Sequence, residues 1–238
     1  MIKEALQYIV DLSQPSIREI GGEMYSDKDL RRIVHNPKAG SIRLTTLRSL
    51  VDYIKSGTDD MDEKMILHVA SPTMVRLYSQ LDLDREREYM VEVSAELPDF
   101  PFGCFIEHEQ FIIGIQSGFI PNGDSGLLLK FAGTVEGGTV ASYGDDGVTQ
   151  KATVKTGLAS KGDAVIPSPV TLKPYRTFIE VEQPESQFIF RMKENENSGI
   201  KCALFEADGG AWKLAAMENI KEYLDCELAG LGKFLVIA

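Results

Sequence analysis

The residues first weighed for chemistry are three histidines, His35, His68 and His108, and three cysteines, Cys104, Cys202 and Cys226. The histidines share no H-x-x-x-H or H-E-x-x-H spacing. In Glu107-His108-Glu109, adjacent helical side chains fan out in different directions, which argues against convergence on one metal. The cysteines are odd in number, widely spaced and lack a C-x-x-C, which argues against a disulfide framework or a zinc ribbon. Cys202 alternates with Ile200 and Leu204, as a buried strand thiol does. No G-x-S-x-G, Walker A or dinucleotide glycine fingerprint occurs. Asp82, Asp84, Glu86 and Glu88 superficially resemble a calcium loop but lack its glycine and its terminal glutamate, so they read as a charged hairpin tip. Asp208-Gly209-Gly210-Ala211-Trp212 leads a strand into a helix, whose first N–H groups suit an anion. Asp208, however, stands where an N-cap takes those donors, and Trp212 reads as that helix's anchor in the core. The expectation is therefore no catalytic residue, no cofactor and no metal.

Charge is the next signal. The 238 residues carry a net charge of −11. Residues 28–48 hold six bases, Lys28, Arg31, Arg32, Lys38, Arg43 and Arg48, against the single acid Asp29. A basic strip on an acidic body suits an acidic face of a second copy, or nucleic acid through this segment alone. The competing reading is a solvated surface with internal ion pairs. No apolar run reaches bilayer-spanning length, and no membrane contact is expected. The opening Met-Ile-Lys-Glu lacks the layout of a signal peptide, so a reducing cytoplasm is the expected compartment.

The elements that would position these residues follow from periodicity. Ile2, Ala5, Leu6, Ile9 and Val10 share one helical face that Ser13-Gln14-Pro15 ends. Residues 15–43 read as irregular. Leu47, Leu50, Val51 and Ile54 predict a second helix, capped by Thr45 or Thr46 and ended by Gly57. The period then changes to two: Met65, Leu67 and Val69, then Val75 and Leu77, then Tyr89, Val91 and Val93. The charged link 80–88 between them predicts a long, exposed hairpin at about 64–97. Phe111, Ile112, Ile115 and Phe119 predict another helix. Leu127, Leu129 and Phe131 alternate as a strand, and Gly144-Asp145-Asp146-Gly147 suits a turn. Four of the ten prolines lie in 167–184, so that stretch is expected to run extended over the surface. Leu214, Met217, Ile220, Leu224 and Leu228 line a long C-terminal helix, and residues 234–237 read as a final buried strand. The fold class is α+β, with a mixed, mainly antiparallel sheet and three to four helices. Residues 1–56 form a helical, basic arm region and 57–238 an α+β body.

Several stretches resemble the YfdQ-like family of phage and prophage proteins, a domain of unknown function. They are Asp145-Asp146-Gly147-Val148-Thr149-Gln150, the run from Pro169 to Phe178, Glu180-Val181-Glu182-Gln183-Pro184, and Ala203 to Trp212. Phe102-Gly103 with Glu109-Gln110-Phe111-Ile112-Ile113, and Thr46-Leu47 with Leu50-Val51-Asp52-Tyr53, resemble it too. The resemblance covers roughly residues 45–238. It implies phage origin and expression in a bacterial cytoplasm, and assigns no catalytic residue.

The functional expectation is a non-enzymatic, self-assembling accessory protein acting through protein–protein contacts, in a ring or a coat-like shell. The element order is loosely similar to the phage coat fold, by analogy only. The alternatives are an acidic decoy of a host DNA-processing or defence protein, or a small-ligand sponge with Arg176, Glu180 or Asp208 in a pocket. The candidate interaction surface comprises the six bases above, the hairpin-tip residues Asp82, Asp84, Arg85 and Arg87, and Tyr175, Arg176 and Glu180. The segment 174–184 either binds a partner strand or crosses the subunit with Tyr175 and Phe178 tucked beneath it.

Overall fold

The computed structural model describes residues 2–29, 38–61, 64–82, 85–134, 140–145, 150–156, 160–165, 168–195 and 199–238, with the backbone alone at 12, 13, 23, 134, 140–145, 150–156, 160–165 and 194–195. The chain divides into two compact units, Met1–Lys38 and Ala39–Ala238.

The first unit holds helix α1 (Ile2–Ser13) and the antiparallel strands β1 (Ile17–Ile20) and β2 (Glu23–Ser26). Of the stretch 15–43 expected to be irregular, residues 17–26 form this ribbon and 30–37 lie outside the described residues. Gly21 and Gly22, at φ 66° and 86°, supply the two left-handed residues that a two-residue hairpin turn requires between Ile20 and Glu23. Ser16 N–H donates to Asp27 Oδ1 at 2.6 Å and the Asp27 N–H returns a bond to Ser16, closing the ribbon.

The second unit runs β3 (Ile42–Leu44), α2 (Leu47–Ser56), β4 (Met65–Ser71), β5 (Met74–Ser79), β6 (Tyr89–Ser94), β7 (Ile106–Glu107), α3 (His108–Gly118), β8 (Phe119–Ile120) and α4 (Gly123–Thr134). It continues through β9 (Val140–Asp145), β10 (Gln150–Thr156), β11 (Ser160–Val165), β12 (Val170–Pro174), β13 (Ser186–Asn195), β14 (Gly199–Glu206), α5 (Ala211–Glu227) and β15 (Phe234–Ile237). Two five-stranded sheets, β15-β4-β5-β6-β3 and β7-β14-β13-β12-β8, and a three-stranded sheet β11-β10-β9 result. Among the described residues only β15–β4 and β3–β6 pair in parallel; the protein is α+β, with mixed, mainly antiparallel sheets. The boundary at 38/39, rather than 56/57, reflects α2. Its Leu47, Leu50, Val51 and Ile54 are buried in the second unit's core beside β4, β5, β6 and α5. A second core, rich in phenylalanine, packs α3 and α4 on β12, β13 and β14.

Three expectations need correction. The 64–97 segment is not a long exposed arm. β5 and β6 form its hairpin, but β4 and β3 flank them, and Leu67, Val69, Val75, Leu77, Val91 and Val93 are fully buried. Residues 123–134 form a helix rather than a strand, which brings the helices among the described residues to five, where three to four were expected. Asn122 and Ser125 exchange backbone N–H bonds at 2.8 Å each, a reciprocal capping arrangement, and Leu128, Phe131 and Ala132 recur at helical spacing on the buried side. The last strand is an edge: Val236 is buried while Leu235 and Ile237 are exposed. The expected turn at 144–147 lies partly outside the described residues, which resume at 150.

Candidate functional site

The proline-bounded segment 174–184 builds the most connected polar site. Past Pro174 the chain leaves the sheet and loses its ladder partners. The Gln183 side chain replaces them: its Oε1 accepts from Arg176 and Thr177 N–H, and its Nε2 donates to the carbonyls of Thr177, Phe178 and Val181. Thr177 Oγ1 donates to the Pro72 carbonyl at 2.5 Å, and Phe178 and Val181 enter the α2–β4 core. Most of the segment is therefore buried rather than laid over the surface, with Ile179 and Glu182 exposed, because one amide side chain satisfies its backbone.

This route carries Arg176 into the interior, where it is 6% exposed. Its Nη1 donates to Glu206 Oε1 at 2.6 Å and its Nη2 to Ser186 Oγ; that hydroxyl donates to Asp208 Oδ2 at 2.7 Å. The guanidinium lies 4.0 Å from the centroid of the Trp212 ring, 5.4 Å from Phe188 and 5.8 Å from Phe102. Burial pulls the Arg176 pKa down from its ordinary value, against the opposing pull of Glu206 and Asp208. Burial pushes the Asp208 carboxyl up, yet hydrogen bonds from Ser186, Gly210 and Trp212 outweigh it and hold it below the usual value. Asp208 thus occupies the first donors of α5, although the helix formally starts after Gly210. Trp212 is half-buried and stacks on the arginine instead of entering the apolar core.

Arg176 and Trp212 both line a cavity of about 220 Å³, with Tyr175, Asp99, Phe100 and Phe102 among its other walls. Among the described residues, neither Arg176 Nε nor Trp212 Nε1, both buried, has a hydrogen-bond partner. The Ser186 hydroxyl is committed to Arg176 and Asp208, so this cluster holds charge and orients donors; it presents no activated nucleophile.

The other sequence-predicted residues disperse. Arg176 is internal, so it is no outer contact. Glu180 Oε1 accepts the Arg48 N–H at 3.2 Å and caps α2, a bond between segments 132 positions apart. Tyr175 donates its N–H to Gly118 and lines the cavity. Lys28 Nζ donates to the Gln14 carbonyl within the first unit, which also contains Lys38. Arg43 lies exposed on β3, and the exposed Arg48 on α2. Arg31, Arg32 and Asp84 lie outside the described residues. Asp82 accepts the N–H groups of Arg85 and Glu86, Arg85 takes a left-handed φ of 60°, and Arg87 Nη1 donates to the Ser79 carbonyl. The tip is thus self-bonded. Cys202 is buried, which pushes its thiol up to about 12. Gln183, Ser186 and Glu206 were missed: Ser186 and Glu206 meet Arg176 from 10 and 30 positions away, and the bonds of Gln183, two to seven positions long, follow no regular period.

A second feature is apolar. On α1, Ile2, Leu6, Tyr8, Ile9 and Val10 are 50–80% exposed, and on the ribbon Ile17, Ile20, Met24 and Tyr25 are at least half exposed.

No known family model, curated protein or solved structure matches the chain. No helix among the described residues is long and apolar enough to cross a membrane.

Proposed function

We propose that the protein is a non-enzymatic, self-assembling accessory protein of phage or prophage origin. It works through contacts between its own copies in the cytoplasm of a bacterial host, and a ring or coat-like shell is the assembly that fits. The observation that carries this reading is the exposed apolar face of α1 with the adjoining ribbon. A unit of 38 residues buries little surface of its own, and chains below about 40 residues usually need disulfides, metals or oligomerisation. The three cysteines all lie in the other unit, so no disulfide can form within this one. A second copy covering the α1 face supplies the missing burial. The split between a basic stretch and an acidic remainder favours contact between copies for the same reason.

Size-exclusion chromatography with light scattering tests this. The unaltered protein elutes as an oligomer at low and moderate salt, and the double variant Leu6→Asp, Ile9→Asp elutes as a protomer with an unchanged circular dichroism spectrum. An unaltered protein that is monomeric at every concentration refutes the reading.

A further inference from the structure

We propose that a second cavity, where β4 and β15 begin and β5 ends, binds an amphiphilic anion: an alkyl chain ending in a carboxylate or a phosphate. This inference is independent of self-assembly. The cavity holds about 560 Å³, within the roughly 300–1,000 Å³ of small-molecule sites. Ile66, Leu81, Phe234 and Leu235 line it, and Leu81 and Leu235 are 41% and 58% exposed. Apolar side chains gathered in one concave place and left open to water mark a binding surface. Aliphatic groups around a single ring offer no stack for a planar ligand, whereas an alkyl chain conforms to them and gains from burial.

Charge selects the head group. Lys64, Arg87 and Lys233 line the same cavity, and no carboxylate among the described residues does, in a chain of net charge −11. Lys233 Nζ lies 5.9 Å from the centroid of the Phe234 ring, and Arg87 Nη1 donates to the carbonyl of Ser79, which is the register partner of Met65 at the lining. Two of the three cationic heads thus sit beside the walls. Lys64 and Lys233 make no ion pair among the described residues. Of the acids on the neighbouring tip, Asp82 Oδ1 accepts the Glu86 N–H and Glu88 Oε1 the Ala39 N–H; these two and Glu86 stay outside the lining. Lysine stems cover apolar surface while their heads stay in water, so apolar walls and uncompensated cations occur together, the complement of a chain with an anionic end. A pairing peptide strand fits this edge less well. Met65 N–H donates to the Lys233 carbonyl at 2.9 Å, so the backbone groups of Phe234 and Val236 point to the open edge of the parallel ladder. Lys221 Nζ takes the Val236 carbonyl at 2.7 Å, which denies an added strand its acceptor there.

Isothermal titration calorimetry of the full chain with decanoate, decyl phosphate, decanol and decyltrimethylammonium tests the proposal. Decanoate or decyl phosphate binds saturably, and the tighter of the two identifies the head group. Decanol and decyltrimethylammonium bind at least about fivefold more weakly, because the cations attract only an anion. The double variant Lys64→Gln, Lys233→Gln keeps its circular dichroism spectrum, weakens the anion about fivefold or more and leaves decanol unchanged. Leu235→Asp, at an exposed position, sets a carboxylate at the lining and abolishes anion binding. The variant Leu6→Asp, Ile9→Asp retains it, which separates this cavity from the apolar face of α1. Five results overturn the proposal: no saturable binding of either anion, decanol or decyltrimethylammonium binding as tightly, anion binding unchanged in the lysine variant, anion binding unchanged in Leu235→Asp, or its loss in Leu6→Asp, Ile9→Asp.

Discussion

Helices α1 and α2 carry the same apolar pattern and meet opposite ends. In α2, Leu47, Leu50, Val51 and Ile54 are all 5% exposed or less; in α1, Ile2, Leu6, Ile9 and Val10 are 50% exposed or more. The helical period marks which face is apolar. It carries no information on what covers that face. For α2 the cover lies in the same unit, where three strands and α5 meet it. Within its own unit the α1 face has no such cover among the described residues, and the proposal assigns it to a contact between copies.

The comparison is broken or sharpened most strongly by paired truncations. Leu50→Ala is expected to lower the unfolding free energy by about 2–5 kcal/mol, since it leaves a cavity in a fully buried site. Leu6→Ala, measured by urea denaturation at high dilution, changes it by no more than about 0.5 kcal/mol. Equal losses would show that α1 is as covered as α2.

A smaller effect concerns how α2 is started. Thr46 Oγ1 accepts the Ser49 N–H at 3.2 Å, and Glu180 reaches the Arg48 N–H from the proline-bounded segment. Thr46→Ala is expected to cost about 1 kcal/mol. Glu180→Gln, which keeps an acceptor and removes the charge beside the helix N-terminus, should cost roughly 0.3–1 kcal/mol, less at high salt. Both are read from shifts in denaturation midpoint at constant slope.

The smallest effect lies at α5. Asp208 is held below its ordinary pKa, so its contribution is present above the unfolded-state value and is lost as pH falls through the lower folded value. Stability measured against pH should therefore fall on the acid side in the unaltered protein, and Asp208→Asn should flatten that part of the curve. An unchanged acid limb would remove Asp208 from the account of how α5 is anchored.

Much of the fold was legible because its signals are local. Thr46, the four apolar residues of α2 and Gly57 at φ 62° lie within twelve positions, and each acts through its immediate neighbours. The strands β4, β5 and β6 were legible in the same way, from alternation. Local signals misled where two periods fit one sequence. Leu127, Leu129 and Phe131 alternate, yet Leu128, Phe131 and Ala132 also fit a helix, and the Asn122–Ser125 exchange decides for the helix. In α5 the pattern named Leu214, which is 63% exposed, and omitted Ala216, which is fully buried. The burial of a small side chain depends on how closely a neighbour approaches.

The candidate site was barely legible. Arg176 and Glu180 were read as part of an interaction surface, with a pocket holding Arg176, Glu180 or Asp208 as the alternative. Their partners, Glu206, Ser186, Trp212 and the start of α2, come from other elements.

By itself the sequence determined the α+β class, the apolar faces of α1, α2 and α3, the strands of the 65–94 meander and the buried thiol of Cys202. These depend on side-chain period and on interactions within a few residues, both of which are written along the chain. Only the tertiary structure decided that the proline-bounded segment goes inside, that Gln183 satisfies its backbone, and that Arg176 and Trp212 meet at a cavity. The Arg176–Glu206 and Thr177–Pro72 contacts join positions 30 and 105 apart, and the Gln183 bonds, though only two to seven positions long, follow no regular period; both exist only once the sheets have assembled and water has been excluded from the space between them.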